Sequence, residues 1–142
     1  MVGRAWETPE GAITAEEIAE FASRYDPQFL HLDPEAAQVG PFQGMIASGF
    51  HTLAAVWALW LRLEPFGQAS GGGIGIDALR WLRPVRPGDR LRARVEVLEC
   101  ALREHSSRGR VVLGFVARNQ RGEEVLTFRT LCLIARRPEQ GR

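Results

Sequence analysis

The chain has 142 residues, 45% hydrophobic and 25% charged, with a formal net charge of +1. These are the proportions of one soluble globular domain, and a chain so near neutral sets up no basic field to gather nucleic acid. All 18 basic residues are arginine, which excludes a Schiff-base lysine, a lysine general base and a phosphate-loop lysine together.

In chain order, Thr14-Ala15-Glu16-Glu17 is a capping box, with Thr14 as N-cap and Glu17 three positions on. Ile18, Phe21, Ala22 and Tyr25 then recur at helical spacing, so a helix is predicted from Ala15 to Tyr25. Pro27 stops it, because the residue before a proline avoids the helical region. Asp26 therefore stands at a helix end, entering a loop that carries His31. Asp33-Pro34 reads as N-cap and first residue of a short helix over Glu35–Gln38. After a loop at Gly40–Gly44, a long apolar helix is predicted from Gly49 to Leu63, closed by Pro65 and Gly67. It is apolar nearly all round, so burial on most sides is expected, with Ala54, Ala55 and Ala58 admitting a strand layer. Gly71-Gly72-Gly73 reads as a flexible junction. Beyond it the period changes to two. Leu91, Ala93, Val95 and Val97 alternate with Arg90, Arg92, Arg94 and Glu96. Val111–Ala117 and Val125–Ile134 are also strands, with turns at Pro87-Gly88-Asp89, Ser106–Gly109 and Arg121-Gly122. The order predicts an α+β fold, an antiparallel β-sheet wrapped around one long central helix. A single domain over 1–137 is expected, with a polar, disordered tail at 138–142.

Asp26 and His31 are the candidate chemistry. A carboxylate and an imidazole on one loop can share a water or a substrate proton, as general acid–base catalysis requires. On spacing alone, a capping aspartate beside a surface histidine is the favoured reading. Gly49 opens the long helix, whose first N–H groups lack intrahelical partners. Such donors suit an oxygen gaining negative charge, although a plain helix start has the same sequence. His31, His51 and His105 are too scattered to form a zinc pattern, so no metal site is expected. Cys100 and Cys132 form no CxxC pair and read as buried thiols of a reducing compartment. There is no basic-then-apolar start like a secretory signal, and no apolar run long enough to span a bilayer. A cytoplasmic protein without a membrane partner is therefore expected. Arg80, Arg83 and Arg86, followed by Arg90, Arg92 and Arg94, read as a solvated face or as a phosphate-binding one.

Asp26 through His31, then Asp33-Pro34-Glu35-Ala36-Ala37, Gly44-Met45-Ile46-Ala47-Ser48-Gly49 and Arg83-Pro84-Val85-Arg86-Pro87-Gly88-Asp89 together resemble the MaoC-like dehydratase and (R)-specific enoyl-CoA hydratase family. The resemblance runs from about Thr14 to Arg137. It implies a hot-dog fold and a carbon–oxygen lyase that hydrates trans-2-enoyl thioesters or runs the reverse dehydration. In that reading Asp26 is the base toward water, His31 orients the water and delivers a proton to the alpha carbon, and Gly49 binds the thioester oxygen. Gln28, Ser48, His51 and Trp57 would then be the substrate-binding residues. The family usually carries asparagine where Gln28 stands, proline where Phe29 stands, histidine at Ser48 and serine at Trp57. Trp57 and Trp60 would thus shorten the acyl pocket. No separate cofactor is implied, since coenzyme A or phosphopantetheine belongs to the substrate. A homodimer with the site near the subunit interface is expected. The same fold hosts acyl-CoA thioesterases, but those commonly place an acidic residue on the central helix, and Gly49–Leu63 has none. A non-catalytic acyl-thioester-binding subunit is the other alternative.

Overall fold

The computed structural model describes residues 2–67, 70–102 and 108–135. Two short strands, β1 (Ala5–Glu7) and β2 (Gly11–Ala12), lead into helices α1 (Ala15–Tyr25), α2 (Phe29–Leu32), α3 (Pro34–Gln38) and α4 (Gly49–Leu61). Four long strands follow: β3 (Ser70–Trp81), β4 (Arg90–Leu102), β5 (Arg108–Arg118) and β6 (Glu124–Ala135). The sheet is antiparallel in the order β1-β4-β5-β6-β3, with β2 also on β4. It curves around α4, which is the hot-dog arrangement expected.

Burial explains the register. Leu91, Ala93, Val95 and Val97 of β4 are at most 2% exposed, whereas Arg90, Arg92 and Arg94 face outward. Each fully buried aliphatic contributes roughly 1.5–3 kcal/mol, and a slip of one residue would bring the arginines inside. These side chains meet Val56, Leu59 and Trp60 of α4 and Leu113, Phe115 and Ala117 of β5 in one core. The capping box of α1 forms as predicted: Thr14 Oγ1 accepts from the Glu17 N–H at 3.1 Å, and Glu17 Oε1 accepts from the Thr14 N–H at 3.4 Å.

Several expectations need correction. Gly71–Gly73 is not a junction; it lies in β3, where Gly73 pairs with Cys132 and backbone hydrogen bonds replace side-chain packing. Residues 29–32 are not loop but a single helical turn carrying His31. Arg108 and Gly109 belong to β5 rather than to a turn, and the rest of that predicted turn lies outside the described residues. So do His105 and the 138–142 tail. Helix α4 ends at Leu61, two residues early, and in the single chain it buries one side only. Thr52, Val56, Leu59 and Trp60 are buried while Phe50, Ala54, Ala58 and Leu61 are exposed, so of the three alanines only Ala55 packs against the core, beside these large side chains.

Candidate active site

Asp26 is the C-cap of α1, its N–H still bonded to the Ala22 carbonyl at 2.9 Å. Pro27 then turns the chain, and the single turn of α2 carries His31 back against it. His31 is 5% exposed, and its Nδ1 lies 2.8 Å from the Ile46 carbonyl. A carbonyl only accepts, so Nδ1 carries the hydrogen and Nε2 is left to face the site. That Nε2 lies 3.3 Å from Asp26 Oδ2. The stretch before α4 is stitched on both sides: the Ile46 N–H donates to the Leu30 carbonyl at 3.0 Å and the Ala47 N–H to the Val85 carbonyl at 2.8 Å.

Both oxygens of the Asp26 carboxylate are engaged. Oδ1 accepts from Gln28 Nε2 at 2.6 Å, and Oδ2 accepts from the Ser48 hydroxyl at 2.7 Å. The carboxyl is held below the usual carboxylate range, first by the Gln28 hydrogen bond and then by Ser48; burial opposes them, and the His31 charge adds a lesser lowering. It also stands at the negative end of α1 and beside the positive end of α4, whose N-cap is Ser48.

Asp26, Gln28, His31 and Gly49 line one cleft of about 380 Å3, whose opposite wall is Trp81, Leu82 and Arg83. Trp81 is the residue that sequence reasoning missed. Its indole N–H donates to the Gly49 carbonyl at 2.9 Å, and its ring lies over the Gly49 Cα so closely that a Cβ there would come within 2.8 Å of Cζ2. Glycine at 49 is thus a steric requirement as well as a close-approach site. A register shift between Asp77 and Arg80, with Ala78 at φ 54°, bends β3 just before Trp81. No local pattern foretells this, because Trp81 and Gly49 are 32 residues apart.

Ser48, His51 and Trp57 do not line this cleft. Ser48 is fully buried, with its hydroxyl spent on Asp26 and on capping the Phe50 N–H at 3.3 Å. His51 does not line the cleft. It stacks on Phe21 at 4.9 Å, its Nδ1 has no partner among the described residues, and burial lowers its pKa below the ordinary 6.5. Trp57 lines a second, apolar cavity of about 480 Å3 between α4, β3 and β6, together with Leu53, Gly73, Ile76 and Cys132. Phe50 borders both spaces. The strand arginines are ion-paired at the surface: Arg90 and Arg92 converge on Glu10 at 3.1 and 3.3 Å, and Arg94 meets Glu96 at 3.3 Å. Among the described residues no group of three or more His, Cys, Asp or Glu could hold a metal, and no helix is long and apolar enough to cross a membrane.

The sequence profile of the MaoC like domain matches residues 1–117. The chain belongs to that family. The described architecture of this MaoC-like protein superposes on the MaoC-like dehydratase of Rhodospirillum rubrum with a TM-score of 0.89 at 35% identity, over 98% of this chain and 95% of that one. It superposes on the (R)-hydratase PhaJ1 of Pseudomonas aeruginosa with a TM-score of 0.77 at 26% identity, over 100% and 88% of the two chains. In sequence, 83 residues are 40% identical to 3-hydroxyacyl-thioester dehydratase Z of Mycobacterium tuberculosis, covering 57% of this chain and 55% of that protein. The MaoC-like chain thus aligns with about half the length of that relative.

Proposed function

We propose that the protein hydrates trans-2-enoyl thioesters, or dehydrates 3-hydroxyacyl thioesters in reverse, with Asp26 and His31 as the acid–base pair. The observation that carries this is the approach of His31 Nε2 to Asp26 Oδ2, 3.3 Å apart in the cleft that Gly49 also lines. The names of the dehydratase and hydratase relatives point the same way.

In the hydration direction the pair starts as carboxylate and imidazolium. A water held beside both groups in the cleft gives its proton to Asp26 as its oxygen bonds to the beta carbon. The double-bond electrons move toward the thioester carbonyl, whose oxygen takes the Gly49 N–H at the positive end of α4. His31 Nε2 then gives its proton to the alpha carbon. Transfer from the Asp26 carboxyl to Nε2 restores the starting state, and one water has been added. The Nδ1 hydrogen stays on the Ile46 carbonyl throughout.

The acyl tail runs past Phe50 into the apolar cavity, where Trp57 limits its length. The thioester is that of coenzyme A or of a carrier protein. The protein acts as a homodimer, paired through the outer edge of β3. Among the described residues of one chain that strand pairs with β6 alone, and it exposes Ile74 and Ile76 by 53% and 48%.

The test follows loss of enoyl absorbance with crotonyl-CoA alongside thiol release. Asp26→Asn and His31→Ala are each expected to lower hydration by about 10²–10⁴-fold with unchanged circular dichroism. Thiol release without hydration would replace this reading with thioester hydrolysis.

A further inference from the structure

Ser48 and Gln28, the one buried and the other at the cleft, each turn a hydrogen-bond donor onto Asp26. We propose that the two are positioning residues that clamp the catalytic carboxylate, one on each oxygen. The proposal rests on the hydratase reading for its kinetic consequence, but the clamp itself is a property of the carboxylate.

Three observations carry it. The Ser48 hydroxyl has one hydrogen to donate, and the structure gives it to Asp26 Oδ2 at 2.7 Å from a side chain that is wholly buried. Its lone pair accepts the Phe50 N–H. Gln28 reaches back two residues to Oδ1 at 2.6 Å. Fixed at both oxygens, the carboxylate cannot rotate, and Oδ2 stays aimed at His31 Nε2. A carboxylate with two side-chain donors is also held ionised more firmly than one in water.

The charges around it are few. His31 of α2 faces Oδ2. Arg83, on the opposite wall, gives Nη1 to the Glu124 carbonyl at 2.9 Å and sets Nε 3.7 Å from Glu123. Arg24, in the last turn of α1, lies over the Tyr25 ring at 5.6 Å. Helix α4 contributes its N-terminal dipole and no ionisable side chain to the cleft. The donors named are therefore the principal local handle on the acid.

Ser48→Gly tests the proposal without undoing the helix, since glycine replaces serine as an N-cap at a cost of only a few tenths of a kcal/mol. Gln28→Ala is the second variant, at an exposed position where folding is not at stake. Each is expected to raise the acid midpoint of the Asp26 carboxyl, followed by carbon NMR on the labelled full-length chain, by about one pH unit. The acid limb of kcat/KM for crotonyl-CoA should move the same way, and kcat should fall about tenfold with KM little changed. A carboxyl titration unchanged in both variants would overturn the clamp and leave Ser48 a helix cap only. A parent protein that hydrates no enoyl thioester would overturn the hydratase reading instead, while the carboxyl titration would still decide the clamp.

Discussion

Replacing Gly49 with alanine separates what this residue does for stability from what it does for the cleft. The new methyl would stand within 2.8 Å of Trp81 Cζ2 and closer still to the five-membered ring, where real Cβ atoms are not found. Either the indole leaves its seat or the first turn of α4 shifts. Trp81 is 46% exposed, so the ring has somewhere to go. The cost is the hydrogen bond to the Gly49 carbonyl, about 0.5–1.5 kcal/mol. The gain is about 0.4–1 kcal/mol from a less flexible unfolded chain. The net loss is then below about 1 kcal/mol, a melting shift of no more than about 4 °C for a domain of this size. Activity should suffer far more, because the cleft wall and the helix-start N–H move relative to Asp26 and His31. A displacement near 1 Å costs about 10²-fold. Differential scanning calorimetry and crotonyl-CoA hydration read the two effects separately. A Gly49→Ala protein whose kcat/KM stays within about threefold of the parent would refute the steric argument.

Three further outcomes follow from described contacts. Thr14→Ala removes the side-chain half of the capping box, the bond that Thr14 Oγ1 accepts from the Glu17 N–H, and should lower stability by about 1 kcal/mol in urea unfolding, with kcat unaffected. Trp57→Ser opens the apolar cavity and should shift the chain-length profile toward longer enoyl thioesters, measured as kcat/KM across a series; an unchanged profile would place the tail elsewhere. His51 titrates below 6.5 in the folded chain because burial disfavours its charge. The unfolded chain therefore takes up the proton first, so His51 supplies stability above pH 6.5 that is lost as pH falls through its folded value. His51→Gln should flatten that acid decline in unfolding experiments run over a pH series.

The elements legible in the sequence are those whose own side chains dictate them. The capping box marked the first residue of α1 and the apolar spacing its approximate end, and strict alternation marked the core of β4. Strand β3 was hidden because its first half is glycine and its second half carries a bulge, so neither alternation nor propensity speaks; its pairing with β6 is made by backbone. Helix α2 is one turn, too short for any period. At the candidate site, Asp26 and His31 could be paired because five residues of chain hold them together. Ser48 and Trp81 reach the site across 22 and 32 residues. The Ser48 contact exists only once α4 has packed against α1, and the Trp81 contact only once β3 has met the start of α4. The buried flank expected for that helix was likewise misplaced, since an all-apolar sequence does not say which flank meets the sheet.

The double duty of the Ser48 hydroxyl restricts how this protein can drift. Descendants that exchange the serine for any residue other than glycine without a hydrogen-bonding side chain would alter the start of a structural element and the chemistry of an acid in one event, so only a glycine codon would separate the two traits. Gln28, on the surface, carries no such double burden. Variation in how strongly the carboxylate is held should therefore accumulate at position 28 before it touches position 48.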